Sequence, residues 1–196
     1  FSGPLFCYLG SVFTKFSTAC CTYPSTDSRA FGNEVILRFE RSELLNDIRN
    51  IAYIEWDVMK RDNVHDKHMV ADIGEEGNVD RVTRVLDLTF AQCVELLYPY
   101  AKREVKEHSC RDDELEEEDE YVLKMKVPDT FSETTVTLLE KLIHNLLVYA
   151  VLADWFSITK PESAEAWAAR AESLKDEIEK AKNRRTGVMT RRMSPF

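Results

Sequence analysis

The sequence predicts a mainly α protein: a four-helix bundle-like domain with a small two-stranded β element and extended termini. Three observations carry that reading. Residues 134–156 are apolar at Leu138, Leu139, Leu142, Ile143, Leu146, Leu147, Tyr149, Val151, Leu152, Trp155 and Phe156. That arc is wider than the stripe of a surface helix and marks the central helix of a core. Residues 161–182 then repeat Ala164, Trp167, Ala168, Ala171, Leu174, Ile178 and Ala181 at spacings of three and four, opposite Glu165, Arg170, Glu172, Lys175, Asp176, Glu179 and Lys180. Residues 157–161 break the pattern between them, and Pro161 suits the first turn of a new helix. So short a connection forces the two arms antiparallel. Leu146 and Trp155 are expected to bury against Trp167 and Leu174. The third observation is a pair of further helical patterns, each beside a short β-type run.

The first β run is 34–39, bounded by Gly32 and Asn33. Helix follows over 42–61, with Ser42 as a plausible N-cap and Leu45, Ile48, Ala52, Trp56 and Met59 on one face. Residues 62–78 are polar and contain Gly74 and Gly77, which predicts a long loop. The next helix covers 79–105, its buried stripe marked by Val82, Leu86, Phe90, Cys93, Leu97 and Tyr100. Pro99 should kink or end it near Leu97. The second β run, 121–127, is closed by Pro128 and is the natural partner of Val35 to Phe39, within the chain or between neighbouring copies. Ser132 or Thr134 would cap the central helix.

The length of 196 residues suits one domain with tails. The boundaries read as an irregular N-terminal arm or non-native segment at 1–33, a helical domain at 34–183 and a basic tail at 184–196. A net charge of −9 argues against wholesale nucleic-acid binding, but the charge is uneven. Residues 112–120 hold eight acids in nine positions, and residues 180–192 hold six bases and no acid. Such asymmetry suggests two contact regions of opposite sign or two solvated tails. The cysteines Cys7, Cys20, Cys21, Cys93 and Cys110 are odd in number and lack any Cys-x-x-Cys pair. That pattern indicates neither a disulfide framework nor a zinc site, and a reducing compartment. No uninterrupted apolar run reaches the length of a membrane span, so no membrane partner is expected.

No catalytic constellation, cofactor motif or complete metal set emerges. His65 and His68, with Asp62 and Asp72 nearby, have a spacing usable on a helix. They lie in a polar stretch without another His-rich element, and a solvated loop is the simpler reading. His144 has no nucleophile in a recognisable context and reads as a polar-face or interface residue. The run 112–120 lacks the Asp/Asn-Gly pattern of a calcium loop and reads as a solvated linker. Gly187 should stop the last helix, leaving a basic tail that ends in Phe196. Arg184, Arg185, Arg191, Arg192 and Phe196 are therefore the candidate partner-binding residues: arginines for an acidic groove or phosphates, Phe196 for an apolar pocket. A frayed terminus is the alternative.

The hairpin from Leu146 to Trp155, through Pro161, Ala164 and Trp167 to Ala171, Leu174 and Ile178, resembles the closing helix pair of phage head–tail connector proteins, also called adaptor or head-completion proteins. Residues 34–196 as a whole are similar to proteins of phages and prophages of gut bacteria, including the Arg184-to-Gly187 and Pro195-Phe196 ending. The resemblance implies a small helical, non-enzymatic protein of the virion neck, made in the host cytoplasm. It would form a homo-oligomeric ring between portal and tail proteins, near DNA in the channel, with the charged tail on a neighbouring ring. A soluble helical binding or regulatory module of phage origin is the other reading that the residues allow.

Overall fold

A computed structural model of the chain describes residues 33–59, 64–103 and 118–184. Its elements run β1 (Asn33–Glu40), α1 (Arg41–Val58), α2 (Val64–Ala71), a 3-10 turn (Asp72–Gly74), α3 (Glu76–Leu96), β2 (Glu120–Val127), α4 (Glu133–Thr159) and α5 (Pro161–Lys182). The described part is thus mainly helical with one small antiparallel sheet, as the sequence predicts. The terminal arm and tail lie outside the described residues, apart from Asn33, which opens β1, and Arg184.

The centre is α4, which packs against α1, α2, α3, α5 and β1. Eleven of its residues are buried, among them Leu139, Ile143, Leu146, Leu147, Leu152 and Phe156 with no exposed surface. It is the described helix long and apolar enough to cross a bilayer, with a mean hydropathy of 1.5. That corrects the expectation drawn from uninterrupted runs, which stopped counting at Glu140, Lys141, His144 and Asn145. The other elements cover most of its apolar surface, so it serves here as a core helix.

The hairpin arm α5 starts at Pro161 and lies along α4. Its inner seam is Ala164, Trp167, Ala171, Leu174, Ile178 and Ala181. Those alternating steps of three and four make a narrow seam, and Ala168, expected on it, is exposed because it sits a full 100° from Trp167. Trp167 meets Tyr149 edge-on with ring centroids 5.2 Å apart, and Phe156 at 6.2 Å. Trp155 turns elsewhere: its indole N–H donates to the Val70 carbonyl at 3.2 Å. The expected packing of Trp155 on Trp167 is therefore replaced by two separate anchors, one on α2 and one on α5. The helix ends at Lys182 with Asn183 at the C-cap, five residues before Gly187.

Three further expectations change. Residues 62–78 are not a plain loop, because α2, the 3-10 turn and the start of α3 fall within them. Tertiary contacts hold these short pieces, as intrinsic propensity alone would not. Val70 and Ile73 are buried, Arg49 donates to the Gly74 carbonyl at 3.1 Å, and Asn78 Nδ2 donates to the Asp72 carbonyl at 2.8 Å. Ser42 is not the cap of α1: Glu40 holds that position, because the Arg41 N–H continues the strand pairing by bonding the Asp119 carbonyl at 3.0 Å. The buried face of α1 centres on Leu44, Ile48 and Ala52, with Leu45, Trp56 and Met59 half-buried at its margins. By contrast α3 ends at Leu96, with Leu97 at its C-cap and two residues before the cis Tyr98–Pro99 bond, which is where Pro99 was expected to end it.

Among the described residues the sheet has two strands, paired from Asn33↔Val127 to Glu40↔Glu120 without a bulge. Of its odd-numbered side chains, Leu37, Phe39, Tyr121, Leu123, Met125 and Val127 are buried, Val35 is half-buried and only Asn33, at the strand end, is exposed. Its even-numbered side chains form the outer face. This strict alternation is what a half-covered antiparallel pair requires.

Candidate interaction surfaces

A polar cluster locks the turn of the hairpin to α1. Lys160 Nζ lies 2.6 Å from Glu55 Oε2, and Ser163 Oγ and Trp167 Nε1 each donate to the same carboxylate at 3.4 Å. Burial alone would raise the Glu55 pKa. The Lys160 ammonium and the two further donors outweigh it and hold the pKa below its ordinary value of 4.5. A carboxylate with a lowered folded pKa adds stability above its unfolded pKa and loses it as pH falls through the folded one. Glu55→Gln is therefore expected to destabilise by about 1–3 kcal/mol at neutral pH. Urea unfolding of both proteins near neutrality and in acid below that pKa checks this. The gap should close in acid, and a gap of equal size at both pH values would show that the ion pair is not its source.

Beside the sheet, a groove of about 1040 Å³ runs between its outer face, the β2 edge and α3. Lys102, Arg103, Lys124 and Lys126 line it together with Glu34, Asp87, Glu118 and Glu120, over an apolar floor that includes Phe90 and Val94. Tyr121 donates its hydroxyl to Asp87 Oδ1 at 2.7 Å and stacks at a tilt on Phe90, 5.2 Å away. Burial, then the hydrogen bond to Asp87, pushes the Tyr121 phenol well above its usual range. The groove is mixed in charge, and its central tyrosine is protonated at neutral pH.

The two sheet edges are treated differently. On β2 the Lys126 N–H donates to the Tyr100 carbonyl at 2.9 Å, and Arg103 Nη2 donates to the Val122 carbonyl at 3.3 Å. Even-numbered backbone groups of β2 therefore point away from β1, and the segment after α3 covers them. In an antiparallel pair, opposed residues share this orientation. Since Glu34 opposes Lys126 and Arg38 opposes Val122, the amides of Glu34, Ile36 and Arg38 also point outward. None of these three has a backbone partner among the described residues beyond the β2 pairing. Ile36 is 46 % exposed on this strand. Below the edge, a cleft of about 260 Å³ opens between β1, α1 and α4, lined by Arg38, Phe39, Glu43, Asp47, Glu140, Lys141 and His144.

Of the residues singled out in the sequence, Arg184 is exposed at the end of α5, its N–H bonded to the Ala181 carbonyl at 3.0 Å. Arg185, Arg191, Arg192 and Phe196 lie outside the described residues, as does the acidic run before Glu118. His144 Nε2 is 2.8 Å from Asp47 Oδ2 and ties α4 to α1. His68 is exposed on α2, the side chain of His65 lies outside the described set, and no metal-holding group occurs among the described residues. Cys93 is fully buried in α3, and burial pushes its thiol up to about 12, so it is no nucleophile at neutral pH. The open β1 edge escaped the sequence reading. Alternation revealed the strand but not which side of it would stay unpaired. No family model matches this chain, and neither the curated proteins nor the solved structures contain a significant match to it.

Proposed function

We propose that the protein is a structural component of a tailed-phage virion neck, a ring-forming head–tail connector joining portal to tail. The observation that supports this most is a concentration of bases near one end of β2 and of acids at its other end. Lys180, Lys182 and Arg184 gather where α5 ends, and Lys182 Nζ is fixed 2.6 Å from the Leu96 carbonyl. The adjoining turn reaches β2 at Lys126 through Tyr100. Glu118, Asp119 and Glu120 lie at the other end of the same strand, about 20 Å away at the rise of a β-strand. A basic exit at one end and an acidic rim at the other suit head-to-tail contacts between copies, which form a ring when the rotation between neighbours closes. In this reading the basic tail that follows Arg184 would meet a neighbouring copy or ring, with Arg191, Arg192 and Phe196 as the contacts.

The test is removal of residues 186–196. The truncated protein is expected to lose assembly on its portal or tail partner, and added salt should weaken assembly of the full chain because the contact is partly ionic. Sedimentation and negative-stain imaging of both forms with the partner read the outcome. Equal affinity and equal salt dependence of the two forms would reduce the tail to a frayed end. A full chain that never forms rings, alone or on a portal, would favour a soluble binding module instead.

A further inference from the structure

We infer that two copies of the protein pair through β1, antiparallel about a two-fold axis at Ile36, to form a four-stranded sheet ordered β2–β1–β1–β2. The free edge carries the outward amides of Glu34, Ile36 and Arg38, in a strand with no proline and no bulge. Such an edge is a template for another strand. The side chains on it select a second copy of itself as the occupant. With Ile36 opposite Ile36, Glu34 of each copy faces Arg38 of the other, on the same outer face of the sheet. All three pairs are of the type that exchanges both backbone bonds, because all three residues have their amides outward. The two isoleucines cover one another, and both directly opposed charge pairs are of unlike sign, the favourable arrangement across strands. Centring the axis on Arg38 or on Glu34 would set like charges face to face. Shifting the register so that Ile36 faces Arg38 would set Glu34 against Glu40. Arg38 already meets Glu120 at 3.2 Å, but that pair is exposed, with the two side chains 63 % and 35 % accessible, and leaves the guanidinium with further donors. The contact is isologous and independent of the head-to-tail reading, because the tail takes no part in it.

Charge reversal tests the pairing in the full chain. Arg38→Glu puts Glu34 opposite a glutamate twice over, and Glu34→Arg puts Arg38 opposite an arginine twice over. Each variant is expected to halve the mass of the assembly that the wild type forms in sedimentation velocity, with the dissociation constant raised about tenfold or more. Mixing the two variants in equal amounts restores unlike pairs at both positions and should restore the wild-type mass. That recovery cannot come from loss of the in-chain Arg38–Glu120 pair, which is altered in one variant whether or not the other is present. Thermal melts of each variant confirm that the fold is retained. A wild type that sediments as one chain at its highest soluble concentration, variants that associate as the wild type does, or a mixture that fails to recover would each overturn the proposal.

Discussion

Trp155→Ala is expected to destabilise the protein by about 3–5 kcal/mol, the range for truncating a large buried aromatic. Trp155 is 8 % exposed, and its side chain lies between the central helix and α2. Its removal opens a cavity there and also frees the Val70 carbonyl from its indole donor. Trp155→Phe separates the two effects. It keeps an aromatic ring in the site but loses the N–H, and should cost about 1–3 kcal/mol, mostly the price of a buried carbonyl left without its partner. Chemical unfolding of both variants measures the two numbers. An alanine variant with wild-type stability would mean that Trp155 does not hold α2 to α4.

A comparable loss is expected from Tyr121, which is 1 % exposed and joins β2 to α3. Tyr121→Ala should cost about 3–5 kcal/mol through the cavity it leaves against Phe90. Tyr121→Phe should cost about 1–2 kcal/mol, because Asp87 then loses its donor in a partly covered site. The pH dependence has a definite sign. The folded state holds the phenol proton to a higher pH than the unfolded chain, whose tyrosine titrates near 10. The contribution is therefore complete below about pH 10 and is lost as pH rises beyond it, since the unfolded state then binds fewer protons. Unfolding curves of wild type and Tyr121→Phe on either side of pH 10 should converge towards the alkaline side. A gap that stays constant would assign the stability to packing alone.

The helical hairpin was legible because its pattern is local: Pro161 marks the start of α5, and the seam from Ala164 to Ala181 follows from spacing alone. The pairing of β1 with β2 was legible too, since an isolated strand must find a partner and the chain offers two such runs. What spacing could not give was direction in space. Trp155 and Trp167 both read as core, but only the position of α2 decides that Trp155 serves a different neighbour. For the same reason α2 itself was missed. Residues 64–71 have little helical period of their own, and they are helical because Val70 and Ile73 find the core. The Glu55 cluster gathers Glu55, Lys160, Ser163 and Trp167 from elements more than 100 residues apart in part, and no local motif announces it.

The two strands of the sheet come from distant parts of the chain: the Arg38–Glu120 contact spans 82 residues. During synthesis at roughly 5–20 residues per second, β1 leaves the ribosome roughly 4–16 s before its partner exists. Throughout that interval both of its edges are open, and its apolar residues Val35, Leu37 and Phe39 have no sheet to cover them. Glu34, Arg38 and Glu40 alternate with those residues, so any premature stacking of nascent strands in parallel register would bring like charges together. The alternation that later forms the outer face thus also guards the strand while the ribosome is still making its partner.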